Sequence, residues 1–249
     1  MKKHTLARTV TASTLLSVSL GSVNIALADS PHSVTANIGV VSDYMWRGVS
    51  QTQDDPAVQG GLDYAHASGF YAGTWISNVD WGGDDPNYEL DVYGGYGGSV
   101  NDDFSYDINT IYYAYPDGRD SNFWEVATSG TFKWFTLGLA YTVSGDNDGG
   151  LFDDGDIYYH GSFDYDELPY DLAFNLHAGY YDFRYDTVTL DDGFESESAD
   201  YWNYGASISK EAGDFGTFSL NWDQNNGDPD SPGEYDNDPK FWVGWLKEF

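Results

Sequence analysis

The sequence predicts an all-β fold, a transmembrane antiparallel up-and-down barrel of about twelve strands that follows a cleaved signal peptide. Nearly every segment after residue 32 alternates apolar and polar residues, as Phe218, Leu220 and Trp222 do around Ser219 and Asn221. A period of two gives each strand one dry face and one wet face. Short and long connections also alternate along the chain, which is typical of bacterial outer-membrane barrels.

The alternating segments give about twelve expected strands. Their approximate spans are 33–44, 57–66, 69–78, 88–98, 104–114, 122–130, 133–143, 156–163, 169–180, 201–210, 216–224 and 240–249. An even number of strands places both chain ends on the side of the short turns. No apolar run of 18 or more residues follows the N-terminal segment, which excludes a helical membrane protein.

The N-terminus has the parts of a secretory signal peptide. Three basic residues within the first eight precede an uncharged, mostly small or apolar stretch over 9–27. Ala26-Leu27-Ala28 then has the small-x-small form that signal peptidase cleaves. A retained N-terminal anchor is the alternative, but the apolar part is short and rich in Ser and Thr. We expect residues 1–28 to be a cleaved signal peptide and residues 29–249 to be a single outer-membrane β-barrel domain of a Gram-negative bacterium.

The chain is strongly acidic, with 41 Asp and Glu residues against 10 Lys and Arg and a formal net charge of −31. A nucleic-acid partner is excluded because such a surface repels phosphate. Aromatic residues make up 18% of the chain, far more than a disordered acidic segment carries. Cysteine is absent, so the sequence offers neither disulfides nor thiolate ligands for zinc. We expect no cofactor.

A soluble β-sandwich or a lipocalin would show the same alternation, with its dry face turned inward to a core. The wet face, however, carries charges in mid-strand, which a buried core would not tolerate unpaired. Aromatic residues also collect near strand ends, as they do at membrane interfaces. These residues are Tyr44, Trp46, Trp75, Trp81, Tyr112 to Tyr115, Tyr201 and Trp202. Both features favour the membrane.

The last strand, FWVGWLKEF, predicts how the barrel is assembled. A final strand that closes on a C-terminal Phe resembles the signal recognised by the outer-membrane barrel assembly machinery. Lys247 departs from the apolar residue that usually stands two positions before the end. We expect Phe249 to be the membrane-assembly signal, with the assembly machinery, outer-membrane lipid and lipopolysaccharide as partners.

Three stretches near the N-terminal end of the barrel carry a family resemblance. Residues 39–52 read GVVSDYMWRGVSQT, residues 56–61 read PAVQGG and residues 68–80 read SGFYAGTWISNVD. They resemble the start of a proteobacterial family of predicted porins, called TorF-type or Gcw-type. Beyond residue 80 the similarity is limited to the chain length and the spacing of the alternating segments. The resemblance implies an outer-membrane barrel of unestablished substrate and brings no catalytic residues.

If the apolar face meets lipid, the polar face lines a lumen. The acidic residues predicted to line it in mid-strand are Asp63, Glu89, Asp91, Asp107, Glu125, Asp171 and Asp223. Rings of Asp and Glu inside a low-dielectric wall favour cations and exclude anions. The sequence thus predicts passive, cation-preferring passage of small solutes. Alternatively, some of these carboxylates pair with bases in the loops, or the lumen is plugged and carries no current.

Arg47 is one of only seven basic residues that follow the signal peptide, and it lies where the first strand meets its outer loop. It can be a lone cation at the pore mouth or constriction, so we include it among the pore-lining candidates. It can instead be structural, pairing with Asp43 or Asp54 and stacking on Trp46. We favour the structural interpretation.

Acidic residues also cluster in the outer loops, within 146–156, 191–195 and 228–238. Clustered carboxylates suit hard cations such as Ca²⁺, but none of these loops completes the twelve-residue calcium motif. We expect solvated loops without a defined metal site, although divalent ions could bridge them to lipopolysaccharide.

Two functions other than a channel stay open. One is a non-conducting structural or adhesive barrel whose acidic loops face outward. The other is a lipid-acting barrel enzyme, for which His160 and His177 could both face the lumen. No serine in a nucleophile-elbow motif accompanies them, so we expect neither an enzyme nor catalytic residues.

Overall fold

A computed structural model describes residues 30–83, 86–118, 120–147, 150–184, 199–229 and 235–249. The predicted signal peptide and its cleavage after Ala28 lie outside these residues. Parts of the acidic loops also lie outside them, including Asp148, Asp191, Asp192 and Glu195.

The described residues form fourteen strands and a short 3₁₀-helix over Gly213–Phe215. The strands, in chain order, are β1 (His32–Val41), β2 (Met45–Trp46), β3 (Val49–Ser50), β4 (Ala57–His66), β5 (Phe70–Asn78), β6 (Tyr88–Asn101), β7 (Phe104–Ala114), β8 (Phe123–Phe132), β9 (Phe135–Gly145), β10 (Ile157–Leu168), β11 (Leu172–Asp182), β12 (Tyr201–Glu211), β13 (Thr217–Asn225) and β14 (Lys240–Glu248). No helix among the described residues is long and apolar enough to cross a membrane.

Twelve of these strands form a closed antiparallel barrel, which confirms the predicted fold. Strand β1 pairs with β4 on one side and with β14 on the other, and the remaining strands pair in chain order. The closure is seen in the register, where His32 lies opposite His66 and Asn37 lies opposite Glu248. Strands β2 and β3 form a separate two-stranded hairpin. Closure leaves no unpaired edge, as hydrocarbon requires.

The connections sort to two ends of the barrel. Those at one end have five or fewer residues, such as the turn between β4 and β5, and the start of β1 and the end of β14 lie with them. The connections at the other end are long. This arrangement matches the short periplasmic turns and long outer loops of bacterial barrels, so we call the long-loop end the outer end.

The turn between β10 and β11 corrects one sequence prediction. Strand β10 continues to Leu168 and β11 begins at Leu172, so Asp171 lies in the turn, where it is exposed. Tyr170 and Asp171 have φ values of 69° and 58°. The prediction that Asp171 lines the lumen in mid-strand is wrong. The apolar spacing of Tyr170, Leu172 and Phe174 continues into the turn, so the pattern did not reveal where the strand begins.

The outer wall of the barrel is apolar. Val92, Leu176 and Leu220 leave 50%, 45% and 59% of their surface exposed, at positions where the alternation predicted a dry face. Apolar side chains line the same wall on other strands, among them Val34, Ile38, Val58, Leu62, Ile76, Ile108, Val126, Leu137, Ile208, Phe218 and Val243. An apolar band of this extent around a closed barrel is suited to lipid contact.

The main hydrophobic core lies inside the barrel at its outer end. Tyr113, Phe123 and Tyr181 stand near the outer ends of β7, β8 and β11, and they pack around Tyr44 and Trp46 from the segment between β1 and β4. The sequence predicted a first strand over 33–44, but β1 ends at Val41 because the chain leaves the wall there and turns into the lumen. The core is therefore built around an inserted loop.

Candidate functional site: the acidic lumen and its inserted hairpin

The inward face of the barrel carries six of the seven predicted lumen carboxylates. For Asp63 and Asp107, the inward direction is seen in hydrogen bonds that reach past an intervening strand. Tyr93 on β6 donates to Asp63 on β4 at 2.5 Å, and Tyr71 on β5 donates to Asp107 on β7 at 2.9 Å. In a closed barrel, side chains converge on the inside and diverge on the outside, so side chains that meet past an intervening strand project into the lumen.

The carboxylates differ in depth and in burial. Asp63 and Asp107 are half-buried in the inner part of the lumen. The other four are at most 5% exposed and lie nearer the outer end: Glu89, Asp91, Glu125 and Asp223. Neither carboxylate oxygen of Asp91 has a hydrogen-bond partner in the structure. The inner lumen therefore presents accessible negative charge, whereas the outer part is filled.

The residues between β1 and β4 fill the outer part. The hairpin formed by β2 and β3 folds back into the lumen, and Arg47 and Gly48 make the two-residue turn at its tip. Both have positive φ, 50° and 79°, which is the pattern of a type I′ turn. A Cβ on Gly48 would lie 2.6 Å from Cβ of Asn203, so the tip approaches the wall as closely as a glycine permits.

Arg47 joins the hairpin tip to the opposite wall. Its guanidinium donates from Nη1 and Nη2 to the two carboxylate oxygens of Glu125, at 2.8 and 2.7 Å. The two side chains are 10% and 1% exposed. The guanidinium also stacks on Trp46, Tyr158 and Tyr181, and its Cζ atom lies 4.3, 4.2 and 5.1 Å from the respective ring centroids. Arg47 is thus held by a bidentate ion pair inside an aromatic enclosure.

The predicted partners of Arg47 are wrong, although its predicted stacking on Trp46 is confirmed. Asp43 accepts hydrogen bonds from Ser50 at 2.6 Å and from Thr52 at 3.3 Å, and burial raises the pKa of Asp43. Asp54 pairs with Lys240 at 2.7 Å. The tip of the hairpin lies across the lumen, so Arg47 is far from Asp43 and Asp54 at the base of the hairpin.

Further contacts fix the hairpin on several sides. Tyr44 donates to Glu89 at 3.1 Å and packs edge-on against Trp75, with ring centroids 5.4 Å apart. On the other side, the amide of Asn225 donates to the Gly48 carbonyl at 2.8 Å. The segment between β1 and β4 therefore reaches from β5 to β13 and crosses the outer end of the lumen.

Bases are scarce on the inward face. Within the part of the chain that the structure describes, Arg47 and Lys240 are the Lys and Arg residues that face inward, and both are engaged by carboxylates. Lys240 stands at the outer rim between Asp54 and Asp236. The acidic residues of the inner lumen are therefore not offset by a neighbouring base.

His160 and His177 both face the lumen, but they contact different residues. His177 on β11 lies 2.9 Å from Asp223 on β13, and His160 stacks on Tyr158. No group of three or more His, Cys, Asp and Glu that could hold a metal ion is found among the described residues.

The sequence predictions missed the wall residues that receive the hairpin, namely Tyr158, Tyr181, Asn203 and Asn225. Each of them is an inward position of a strand that was predicted approximately. Their role could not be assigned because the alternation does not show which loop enters the lumen. The one available signal was a lone arginine followed by glycine, Arg47-Gly48, which can form a tight turn.

The fold is similar to solved porin structures. The "KdgM porin" gives a TM-score of 0.53 with 11% identity, covering 86% of this chain and 99% of that chain. "KdgM porin in complex with disordered oligogalacturonate" gives 0.52, with 11% identity and coverage of 87% and 99%. A structure of the NanC porin gives 0.51, with 11% identity and coverage of 86% and 98%. At this identity the likeness concerns the fold.

Sequence comparisons give the family. No curated protein matches the chain significantly. A family model described as a bacterial protein of unknown function, Gcw_chp, matches residues 25–247. Its description contains no activity, so the porin function and the TorF-type label implied by the resemblance stay predictions. Because the match spans nearly the whole sequence, the chain belongs to the Gcw_chp family.

Proposed function

We propose that the protein is an outer-membrane channel that lets small solutes pass passively and prefers cations. The observation that carries this proposal is the inward acidic face, where Asp63 and Asp107 are half-buried and pair with no base among the described residues. A low-dielectric barrel wall focuses the field of such charges into the lumen. Carboxylates lining a pore then concentrate cations and exclude anions.

The porin structures with a similar fold support a channel but not the same solute. One of them was solved in complex with oligogalacturonate, an oligomer of acidic sugars. An acidic lumen repels such a solute. We therefore expect the present barrel to pass small cationic or neutral molecules.

The outer wall and the C-terminus support an outer-membrane location. The apolar band is suited to lipid and to the acyl chains of lipopolysaccharide. Phe249 is 72% exposed and its backbone pairs with Ala36, so the terminal aromatic ring is available to the barrel assembly machinery. Sequencing of the protein from an outer-membrane fraction should give Asp29 as the first residue. Recovery of uncleaved protein, or of soluble periplasmic protein, would contradict the proposal.

A second function is favoured by a specific observation, the hairpin that crosses the lumen. If the hairpin seals the outer end of the lumen and stays in place, the barrel does not conduct and acts as a structural or adhesive protein with acidic outer loops. In the channel proposal, the hairpin is the constriction and moves or leaves gaps when solutes pass.

Planar-bilayer recording of the purified protein under a salt gradient distinguishes the two functions. We expect single-channel currents whose reversal potential has the sign of cation preference, strongest at low ionic strength. Currents with anion preference would overturn the proposed selectivity. A protein that inserts correctly but never conducts would favour the structural barrel.

A further inference from the structure

The residue at the hairpin tip is unusual for its backbone conformation. Two-residue turns in which both φ values are positive favour Gly, which has no β-carbon, or Asn and Asp, which tolerate the left-handed region, at the first position. Arg47 occupies that position with φ of 50°. The backbone conformation does not favour an arginine at this position, whereas the contacts of its side chain do.

The wall opposite the tip is built to hold a guanidinium group. Glu125 offers both carboxylate oxygens to the planar fork of Arg47, and Tyr158 and Tyr181 place their rings against its faces. The hydroxyl groups of Tyr113 and Tyr181 donate to Glu125 at 3.2 and 3.4 Å, which fixes the carboxylate. We call Glu125, Tyr158 and Tyr181 the guanidinium cage.

All three cage residues belong to barrel strands, whereas Arg47 arrives on a loop. Glu125 lies on β8, Tyr158 on β10 and Tyr181 on β11. Withdrawal of the hairpin would leave the three cage residues on the wall, with a carboxylate that has lost its counter-charge. A carboxylate held among aromatic side chains without a partner charge is unfavourable, so a vacated cage should bind a soluble cation of the same shape.

We infer that Arg47 acts as a tethered ligand in this cage, and that the cage binds the guanidinium group of soluble guanidinium-bearing cations when Arg47 is displaced. A guanidinium ion makes two parallel hydrogen bonds to a carboxylate and stacks on aromatic rings. An ammonium ion is a compact point charge that cannot reproduce the fork. The cage should therefore discriminate between these two kinds of cation.

The inference deepens the proposed function, and its gating consequence rests on that function. A guanidinium-bearing solute that reaches the cage would compete with Arg47 and release the tip from the wall, which would widen the outer end of the channel. The tether gives Arg47 a high effective concentration, so competition in the native protein needs concentrated ligand. The acidic inner lumen raises the local concentration of such a cation.

The cage can be tested by vacating it. Arg47→Ala removes the tethered ligand, and binding of guanidinium chloride at concentrations too low to unfold the protein is then followed by thermal stability, with NaCl at matched ionic strength as reference. We expect a saturable rise in Tm with guanidinium and at least about tenfold weaker binding of methylammonium. In the double variant Arg47→Ala with Glu125→Gln, the guanidinium effect should disappear.

A matched control is Arg184→Ala, which removes an arginine from an exposed pair with Asp154 whose side chains are 51% and 52% exposed. This variant should show no saturable response to guanidinium. The same lack of response in Arg47→Ala would overturn the inference, as would an equal response after Glu125→Gln. If Arg47→Ala does not fold in NaCl, its refolding in guanidinium but not in methylammonium would support the cage, and refolding in neither would overturn it.

The binding test and the channel test can fail separately. Binding without conductance would support the cage and count against the channel. Conductance of Arg47→Ala without guanidinium binding would support the channel and overturn the cage. With both present, guanidinium should increase the open-channel current of the native protein more than methylammonium does.

Discussion

Arg47 and Glu125 lie 78 positions apart in the chain and meet inside the barrel through two hydrogen bonds of 2.8 and 2.7 Å. This pair connects a loop tip to the wall of β8. Burying both charges costs desolvation energy, which an ion pair recovers only with good geometry. The bidentate contact supplies that geometry, and the pair fixes the hairpin in one position.

A double-mutant cycle should show that the two residues act together. Removing one partner of a buried pair leaves an uncompensated charge, so Arg47→Ala and Glu125→Gln should each lower the free energy of unfolding by about 3–5 kcal/mol. The double variant should lose much less than the sum. Urea unfolding in lipid vesicles measures these values. Arg184→Ala, from an exposed pair, should cost under about 1 kcal/mol. Additive effects of the two buried substitutions would contradict the coupling.

Gly48 should be required for the closeness of the hairpin tip to the wall. Gly48→Ala adds a Cβ 2.6 Å from Asn203 and also strains a φ of 79°. Gly213 is a matched control, because its φ is 56° and a Cβ there would meet nothing within 4 Å. Gly213→Ala should cost about 1–2 kcal/mol from the backbone alone, and Gly48→Ala clearly more. Equal losses in the unfolding free energy would show that the tip does not press against the wall.

Most of the barrel could be predicted because membrane strands encode their two environments in alternate residues. Val92, Leu176 and Leu220 are apolar positions of their alternating segments, and all three lie on the outer wall. The alternation failed to place Asp171, because the neighbouring Tyr170 continues the apolar spacing of β11 into the turn. It also could not predict the hairpin contacts, since the pairing of Arg47 with Glu125 depends on the three-dimensional path of a loop and leaves no periodic signal.

An arginine introduced on the outer face of β11 should lower the free energy of unfolding much more than one introduced on its inner face. Leu176 stands near the middle of the strand on the outer wall, and Leu176→Arg should cost about 2–4 kcal/mol near the bilayer midplane. Asn175, one residue away, faces inward and donates to Asp164 at 2.7 Å. An arginine there can pair with that carboxylate, so Asn175→Arg should cost much less. Similar unfolding free energies for the two variants would mean that the assigned faces are wrong.

Asp156, in the outer loop before β10, should make the local structure sensitive to pH. Burial raises the pKa of its carboxyl from 3.8 to about 6, and the backbone N–H of Arg184 donates to it at 2.8 Å. A carboxyl with a raised pKa in the folded state stabilises that state at pH values below 3.8, and this contribution is lost as the pH rises through about 6.

Hydrogen exchange of the Arg184 amide, corrected for intrinsic rates, checks this dependence. Protection should fall as the pH is raised through about 6. In Asp156→Asn, which keeps an acceptor oxygen without the titration, protection should be nearly independent of pH over that range. A pH response that persists in the variant would assign the effect to another group.

The half-buried carboxylates of the inner lumen should determine ion selectivity if the barrel conducts. Asp63 and Asp107 accept hydrogen bonds from Tyr93 and Tyr71, and an Asn side chain at either position can accept the same bond. The double variant Asp63→Asn with Asp107→Asn should therefore keep the fold and lose two negative charges from the aqueous lumen. Its reversal potential under a salt gradient should move toward zero.

Asp171→Asn is the matched control for this prediction. It removes one acidic charge from an exposed turn, outside the lumen wall, and should leave the reversal potential unchanged. The effect of the lumen substitutions should weaken at high ionic strength, because the Debye length falls from about 30 Å at 0.01 M to about 3 Å at 1 M. If the turn substitution shifts the reversal potential as much as the lumen pair, selectivity arises from the general acidity of the protein. If only the lumen pair shifts it, the cation preference arises on the inward face, where the field is focused by the barrel wall.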